Sequence, residues 1–165
     1  MGRGVTQVRS LVVYDSQHGN TKLIAEGIGA ALEVSGRVLV MHCSDVQPGD
    51  LMGINRLIVG SPTQQLTATS AVLNWIKTIP RNGLKGVKAA AFDTRFTEEM
   101  INSIKVLPFF VRLFGYGAKP ISDRLEKKGA KIILPPEGFY VADTEGPLLD
   151  QELERAAGWA QLFVT

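Results

Sequence analysis

Between Asp15 and Thr21 the chain reads Asp-Ser-Gln-His-Gly-Asn-Thr, a stretch of hydroxyl, amide and small side chains between an apolar run and a segment with helical spacing. Its end therefore coincides with a helix N-terminus, where backbone N–H groups have no intrahelical partner and the helix dipole favours negative charge. Ser16 and Thr21 add hydroxyl donors, Asn20 adds an amide, and Gly19 lets a ligand come close to the main chain. Gln17 and His18 offer mainly their backbone N–H groups. The stretch contains no Lys or Arg, so the chemistry it suits is capture of a phosphate by dipoles and hydrogen bonds. A second reading stays open from the residues alone: an ordinary helix cap, which Asn20 or Ser16 satisfies unaided.

Other chemistries leave no trace. Cys43 is the only cysteine, which excludes an internal disulfide framework and a Cys-cluster metal site. Burial statistics make it a core residue. Only His18 and His42 are present, too few for a His-rich metal centre, so no metal site is expected. No acid–base triad is visible. The Gly-x-x-x-x-Gly-Lys-Ser/Thr phosphate loop is missing, and Gly27 and Gly29 fall inside the first predicted helix rather than in a dinucleotide-binding turn. Gly60-Ser61-Pro62 stands where a receiver domain would need an Asp, and the first loop holds no nucleophilic Cys.

The elements that must position this loop follow from periodicity. Val8–Tyr14, Val38–His42, Arg56–Gly60 and Val87–Phe92 are apolar runs that read as buried strands. Lys131–Leu134 and Gly138–Val141 read as one strand interrupted at Pro135-Pro136. Helices are expected over Asn20–Val34, Ala68–Ile79, Pro120–Lys128 and Gln151–Phe163, the last with Asp150 as its N-cap. Pro48-Gly49 and Gly53 mark a loop or a single helical turn. Five apolar strands alternating with helices imply an α/β fold, a parallel sheet covered on both faces. Such sheets bind ligands beyond the carboxyl ends of their strands, which points to loops 15–20, 60–67 and 93–103.

At 165 residues, 45% hydrophobic and 21% charged, the chain has the size and composition of one domain with a full core, and no linker or repeat divides residues 1–165. Net charge is only +2, but from Arg56 to Arg112 eight basic residues face three acidic ones, whereas from Ile132 onward Arg155 alone opposes six acids. The basic segment suits an anionic cofactor or surface, or simply solvated helix and loop charges. No run of cations interleaved with aromatics points to nucleic acid. No apolar run reaches transmembrane length, and Met1–Arg9 lacks the apolar core of a signal peptide, so a cytoplasmic location is expected. Trp75 and Trp159 fall on helices and read as packing residues.

Several motifs taken in order resemble the flavodoxin family. Ser16-Gln17-His18-Gly19-Asn20-Thr21 is similar to that family's Thr/Ser-x-Thr-Gly-x-Thr loop. Gly60-Ser61-Pro62-Thr63 and Phe92-Asp93-Thr94-Arg95 are similar to its loops after strands three and four. Pro136–Tyr140, Thr144–Leu148 and Glu152–Ala156 resemble its carboxyl-terminal pattern, so the likeness extends over roughly residues 8–162. The resemblance implies a three-layer sandwich with a five-stranded parallel sheet in the order 2-1-3-4-5 and non-covalent FMN at one end. By position, Ser16, Gly19, Asn20 and Thr21 would hold the FMN phosphate, with Gln17 and His18 contributing N–H groups. Ser61, Pro62, Thr63 and Gln64, with Asp93, Thr94, Arg95 and Phe96, would flank the isoalloxazine, Phe96 stacking on it.

Four features depart from the family pattern. His18 replaces a hydroxyl residue. Ser61–Thr67 has neither Trp nor Tyr, nor the internal Gly whose peptide, in the family, bonds the reduced ring. The charge is not acidic, and Arg95 either stands near the ring, faces a substrate anion, caps a loop, or pairs with Glu98 or Glu99. Finally, Thr97–Tyr116 is a long apolar extension, read as a short packed helix, a lid, a dimer surface or a shallow membrane contact, the last two through residues 101–116. The resemblance implies electron transfer with a redox partner protein. The alternative is a two-electron FMN reductase or dehydrogenase acting on a small acceptor, a quinone or a porphyrinogen. A third class is an interaction module that has lost FMN.

Overall fold

A computed structural model describes residues 7–64, 66–103 and 116–165. The chain alternates strand and helix: β1 Arg9–Tyr14, α1 Asn20–Leu32, β2 Arg37–His42, β3 Arg56–Gln64, β4 Thr67–Ala68, α2 Ser70–Thr78, β5 Lys88–Phe96, α3 Glu98–Asn102, α4 Ala118–Lys127, β6 Lys131–Ile132, β7 Glu137–Val141 and α5 Glu152–Gln161. The parallel strands lie in the order β2-β1-β3-β5-β6. β7 continues the edge begun by β6, pairing with Phe92–Phe96 where β6 pairs with Lys88–Ala89. Pro135-Pro136 separates the two because proline has no N–H to give a ladder. Counted as one interrupted strand, with the short β4 set aside, they complete the expected 2-1-3-4-5 order.

Strand alternation sorts the core into two layers. Leu11, Val13, Leu57, Val59, Ala89 and Ala91 face α2 and α4 through Val72, Ile76, Ile121 and Leu125. Val12, Ile58, Ala90, Phe92 and Phe139 face α1 and α5 through Ile24, Ile28, Ala156 and Trp159. In this second layer the rings of Phe92, Phe139 and Trp159 meet edge-to-face, with centroids 5.9 to 6.3 Å apart. Phe92 lies directly across Gly60, where any Cβ would enter the ring. Trp75, Trp159 and Cys43 are all buried, as expected.

Some boundaries differ from the sequence expectation, each for a local reason. β3 runs on to Gln64 and folds back as a hairpin with β4, so Thr67-Ala68 pair in a sheet and α2 starts at Ser70 rather than Ala68. β5 likewise extends past Phe92 because β7 gives its last five residues a partner. α1 tightens into a 3-10 turn at Glu33–Ser35. The N-cap of α5 is Gln151, left-handed at φ 68°, and not Asp150.

Helix α5 is fastened to β7 by one buried carboxylate. Glu152 accepts hydrogen bonds from Tyr140 N–H (2.7 Å) and from Arg155 Nε and Nη2 (2.9 and 2.7 Å). Burial pushes its carboxyl up, but the Arg155 and Tyr140 bonds outweigh that and bring it below the ordinary glutamate value. A carboxyl lowered by folding stabilises the protein above its unfolded pKa of about 4.3, and that contribution disappears as pH falls through the folded value. Glu152→Gln is therefore expected to cost about 1–3 kcal/mol near neutrality. Urea unfolding of the two proteins at about pH 7 and about pH 3 checks this: the gap should narrow on acidification.

Candidate functional site

The carboxyl ends of β1, β3 and β5 open side by side, and a cleft of about 210 Å³ lies between the segments that leave them. The first wall is the turn into α1. Ser16 N–H donates to Asp15 Oδ1 (2.9 Å) and Gly19 N–H to Ser16 Oγ (3.1 Å), which curls the chain back on itself. Gly19 is the N-cap at φ 89°, a left-handed conformation that suits glycine. Having no side chain, it caps nothing, and Leu23 N–H donates to Gly19 C=O. The N–H groups of Asn20, Thr21 and Lys22 thus start the helix with no side-chain cap. The ordinary-cap reading does not hold: Ser16 serves Gly19 instead, and Asn20 donates through Nδ2 to Glu145 C=O (3.2 Å). Thr21, fully buried, shares a 2.9 Å hydroxyl–hydroxyl hydrogen bond with Thr94 of β5.

Pro62, Thr63 and Gln64 of β3 form the second wall. Ser61 turns away from it. Its buried hydroxyl donates to Pro62 C=O (2.8 Å) and accepts Thr69 N–H (2.9 Å), fixing the start of α2. Thr63 Oγ1 accepts Gly117 N–H (3.1 Å), bringing the segment before α4 against β3.

The third wall is Thr94, Arg95 and Phe96 of β5. Below it Asp93 is completely buried and does not face the cleft. Its carboxylate accepts Arg95 Nε–H (2.6 Å), Arg95 Nη2–H (2.8 Å) and Ala118 N–H (2.8 Å). Burial pushes the Asp93 carboxyl up, and the bidentate guanidinium pulls the other way. Arg95 is held on both faces as well. Its guanidinium carbon stands 3.6 Å from the centroid of the Tyr116 ring, and Gly138 on β7 leaves the space in which a side chain would collide with it. Arg95 accordingly pairs with Asp93 and not with Glu98 or Glu99. Burial raises the Tyr116 hydroxyl above its ordinary value, with Arg95 opposing.

Of the fourteen residues singled out from sequence, the structure brings Ser16, Gln17, His18, Asn20, Thr21, Pro62, Thr63, Gln64, Thr94, Arg95 and Phe96 to the cleft surface. Gly19 shapes the turn, and the side chains of Ser61 and Asp93 support it from behind. Sequence reasoning missed Leu66, Ile101, Tyr116, Val141 and Thr144, which also line it. Ile101 and Tyr116 lay in the apolar extension, of which Glu98–Asn102 form α3; residues 104–115, on which the dimer, lid and membrane readings chiefly rest, lie outside the described residues. Leu66 adopts φ 67° in the β3–β4 turn, which no glycine announces. Tyr116 supplies an aromatic that Ser61–Thr67 lacks. Among the described residues, no carboxylate lines the cleft, and no helix is long and apolar enough to cross a membrane.

Fold and cleft together define an α/β protein of the flavodoxin kind. A family model for the flavodoxin domain matches residues 11–112, and the chain belongs to that family, whose members typically bind FMN. Solved structures share the fold at low identity. A flavodoxin from the domain Archaea is 21% identical with a TM-score of 0.73, over 93% of this chain and 94% of its own. Oxidised flavodoxin 1 from Bacillus cereus is 18% identical with a TM-score of 0.72, over 94% and 97%. Rubredoxin oxygen:oxidoreductase from Desulfovibrio gigas is 18% identical with a TM-score of 0.69, over 93% of this chain but 34% of its own. No curated protein matches the chain.

The Asp93–Arg95 pair has a testable energetic consequence. Removing one member leaves the other as an uncompensated buried charge, which costs about 3–5 kcal/mol. Asp93→Asn and Arg95→Met should each show that loss in urea unfolding, while the double variant should recover much of it.

Proposed function

We propose that this chain, acting as one flavodoxin-like unit, binds FMN non-covalently and transfers electrons. The observation that carries the reading is the uncapped N-terminus of α1, which opens on a cleft whose other walls mix polar strand ends with apolar Pro62, Leu66, Phe96, Ile101 and Val141. Its unpaired N–H groups and the dipole of a thirteen-residue helix suit a phosphate. Ser16 Oγ already accepts Gly19 N–H, so its own proton is available to an anion. Pro62–Gln64 and Thr94–Phe96 are far enough along their strands to flank a planar ring, with Leu66, Ile101, Tyr116 and Val141 as apolar surface. Bound FMN supplies the redox chemistry. The chain binds the phosphate, orients the ring and limits access of water to it. A redox partner, protein or small molecule, is implied.

A second reading is favoured by one feature of the lining. His18 and Arg95 are its basic residues, and it has no carboxylate among the described residues. Positive charge beside a flavin favours uptake of a second electron as an anion, which suits a two-electron reductase acting on a quinone or porphyrinogen. Asp93 offsets that charge, and carriage of single electrons therefore remains the first reading.

Fluorescence titration with FMN and with riboflavin tests the binding. FMN should bind at least about tenfold more tightly than riboflavin, and Ser16→Ala should weaken FMN by about tenfold or more while leaving riboflavin unchanged, as for one hydrogen bond to a charged group. Equal affinity for both ligands would remove the phosphate from the helix N-terminus. Anaerobic stepwise reduction followed by visible spectroscopy then separates the two readings: one-electron steps support a carrier, and a single two-electron step supports the reductase.

A further inference from the structure

At the carboxyl ends of β1 and β2 the chain brings together three side chains outside the cleft lining, of which Asp15 also helps to shape the first loop. β1 and β2 pair in parallel with Tyr14 opposite His42, so the residues that follow, Asp15 and Cys43, leave the sheet side by side. A carboxylate oxygen of Asp15, an imidazole nitrogen of His42 and the thiol sulfur of Cys43 all lie within 4.8 Å of one another. None of the three lines the cleft.

We propose that Asp15, His42 and Cys43 form a binding site for a borderline-soft divalent cation, with Zn²⁺ the best match to their mixed O, N and S donors. Zinc binds such ligands at about 2.0–2.3 Å, which at tetrahedral angles places donor atoms about 3.3–3.7 Å apart. His42 Nε2 and Asp15 Oδ1 are 3.0 Å apart, and closing the widest pair needs a movement of roughly 1 Å. Asp15 Oδ1 is engaged by Ser16 N–H and His42 Nε2, whereas Oδ2 accepts no hydrogen bond among the described residues and is free to ligate.

The surroundings orient the ligands. The His42 ring stands edge-on to Tyr14, with centroids 5.5 Å apart, and Ser44 Oγ is 2.7 Å from His42 Nδ1. Ser44 N–H also reaches Nδ1, at 3.2 Å, so in the metal-free protein Nδ1 accepts and Nε2–H donates to Asp15. A metal at Nε2 moves that proton to Nδ1, which then gives up the bond from Ser44 N–H and donates to Ser44 Oγ, the outer hydrogen bond that a ligating imidazole makes. The Cys43 thiol proton leaves to solvent as the thiolate binds. Cys43 is buried, while the side chains of His42 and Asp15 are 32% and 13% exposed, so solvent reaches the cluster through His42.

Titration of the full chain with Co²⁺, followed by Zn²⁺ displacement, tests the site. Saturation at one equivalent with a thiolate-to-cobalt charge-transfer band, reversed by Zn²⁺, is expected. Cys43→Ser should abolish the band, and His42→Ala and Asp15→Asn should each weaken binding at least tenfold. The near-ultraviolet circular dichroism of the buried tryptophans reports whether each variant folds, and if Cys43→Ser does not, the isosteric Asp15→Asn decides. Absence of one-equivalent saturation, a band that survives Cys43→Ser, or undiminished binding by folded Asp15→Asn would overturn the proposal. The readout needs no flavin, so it stands or falls separately from FMN binding.

Discussion

The open end of the sheet depends on one buried carboxylate. Asp93 sits near the end of β5, wholly removed from solvent, and binds Arg95 twice and the first residue of α4 once. A charge in that position is tolerable only while its partners are in place, which makes the arrangement close to all-or-none. Arg95 is thereby held flat between Gly138 and the ring of Tyr116, and α4 is docked where Gly117 N–H reaches Thr63 on β3. β5 and the start of α4 meet at one carboxylate, β3 and β7 pack on its partners, and two walls of the cleft follow from it.

The remaining wall obeys a different constraint, the left-handed turn at Gly19. A side-chain cap there would satisfy the helix and close it to ligands. Glycine leaves the N–H groups of α1 unspent, while Thr21–Thr94 and Asn20–Glu145 hydrogen bonds hold the turn against β5 and the carboxyl-terminal segment. Rigidity comes from neighbours, not from the cap, and the donors stay available. The solved structures named above are below 25% identical, so they establish the architecture, and the reading of the cleft rests on these residues of this chain.

Much of this was legible in the sequence because it is local. Apolar runs such as Leu11–Val13, bounded by turn residues, name buried strands wherever they fold, and the Pro135-Pro136 interruption was readable since proline cannot donate to a ladder. The polar turn between β1 and α1 was visible in the order of its side chains. What stayed hidden is what tertiary pairing decides. Whether Thr67-Ala68 begins a helix or pairs with β3 depends on a hairpin whose turn residue, Leu66, carries no glycine signal. Arg95 has Glu98 and Glu99 as near neighbours in sequence, yet its partner is Asp93, because alternation at the end of β5 puts residues two apart on one face. Tyr116 reaches the cleft from more than twenty residues beyond Arg95, and no spacing rule predicts that. The Asp15–His42–Cys43 cluster is likewise a product of strand register.

The central claim is that the α1 N-terminus holds the phosphate of FMN. Phosphorus NMR of FMN added to the full chain tests it most directly, as the pH is stepped through the ordinary second ionisation of a phosphate monoester, near about 6. The account predicts a distinct bound resonance whose shift stays constant over that range, since unpaired N–H groups favour the dianion and hold its pKa well below the free value. A resonance that titrates as free FMN does, or only a free resonance at stoichiometric protein, would contradict it.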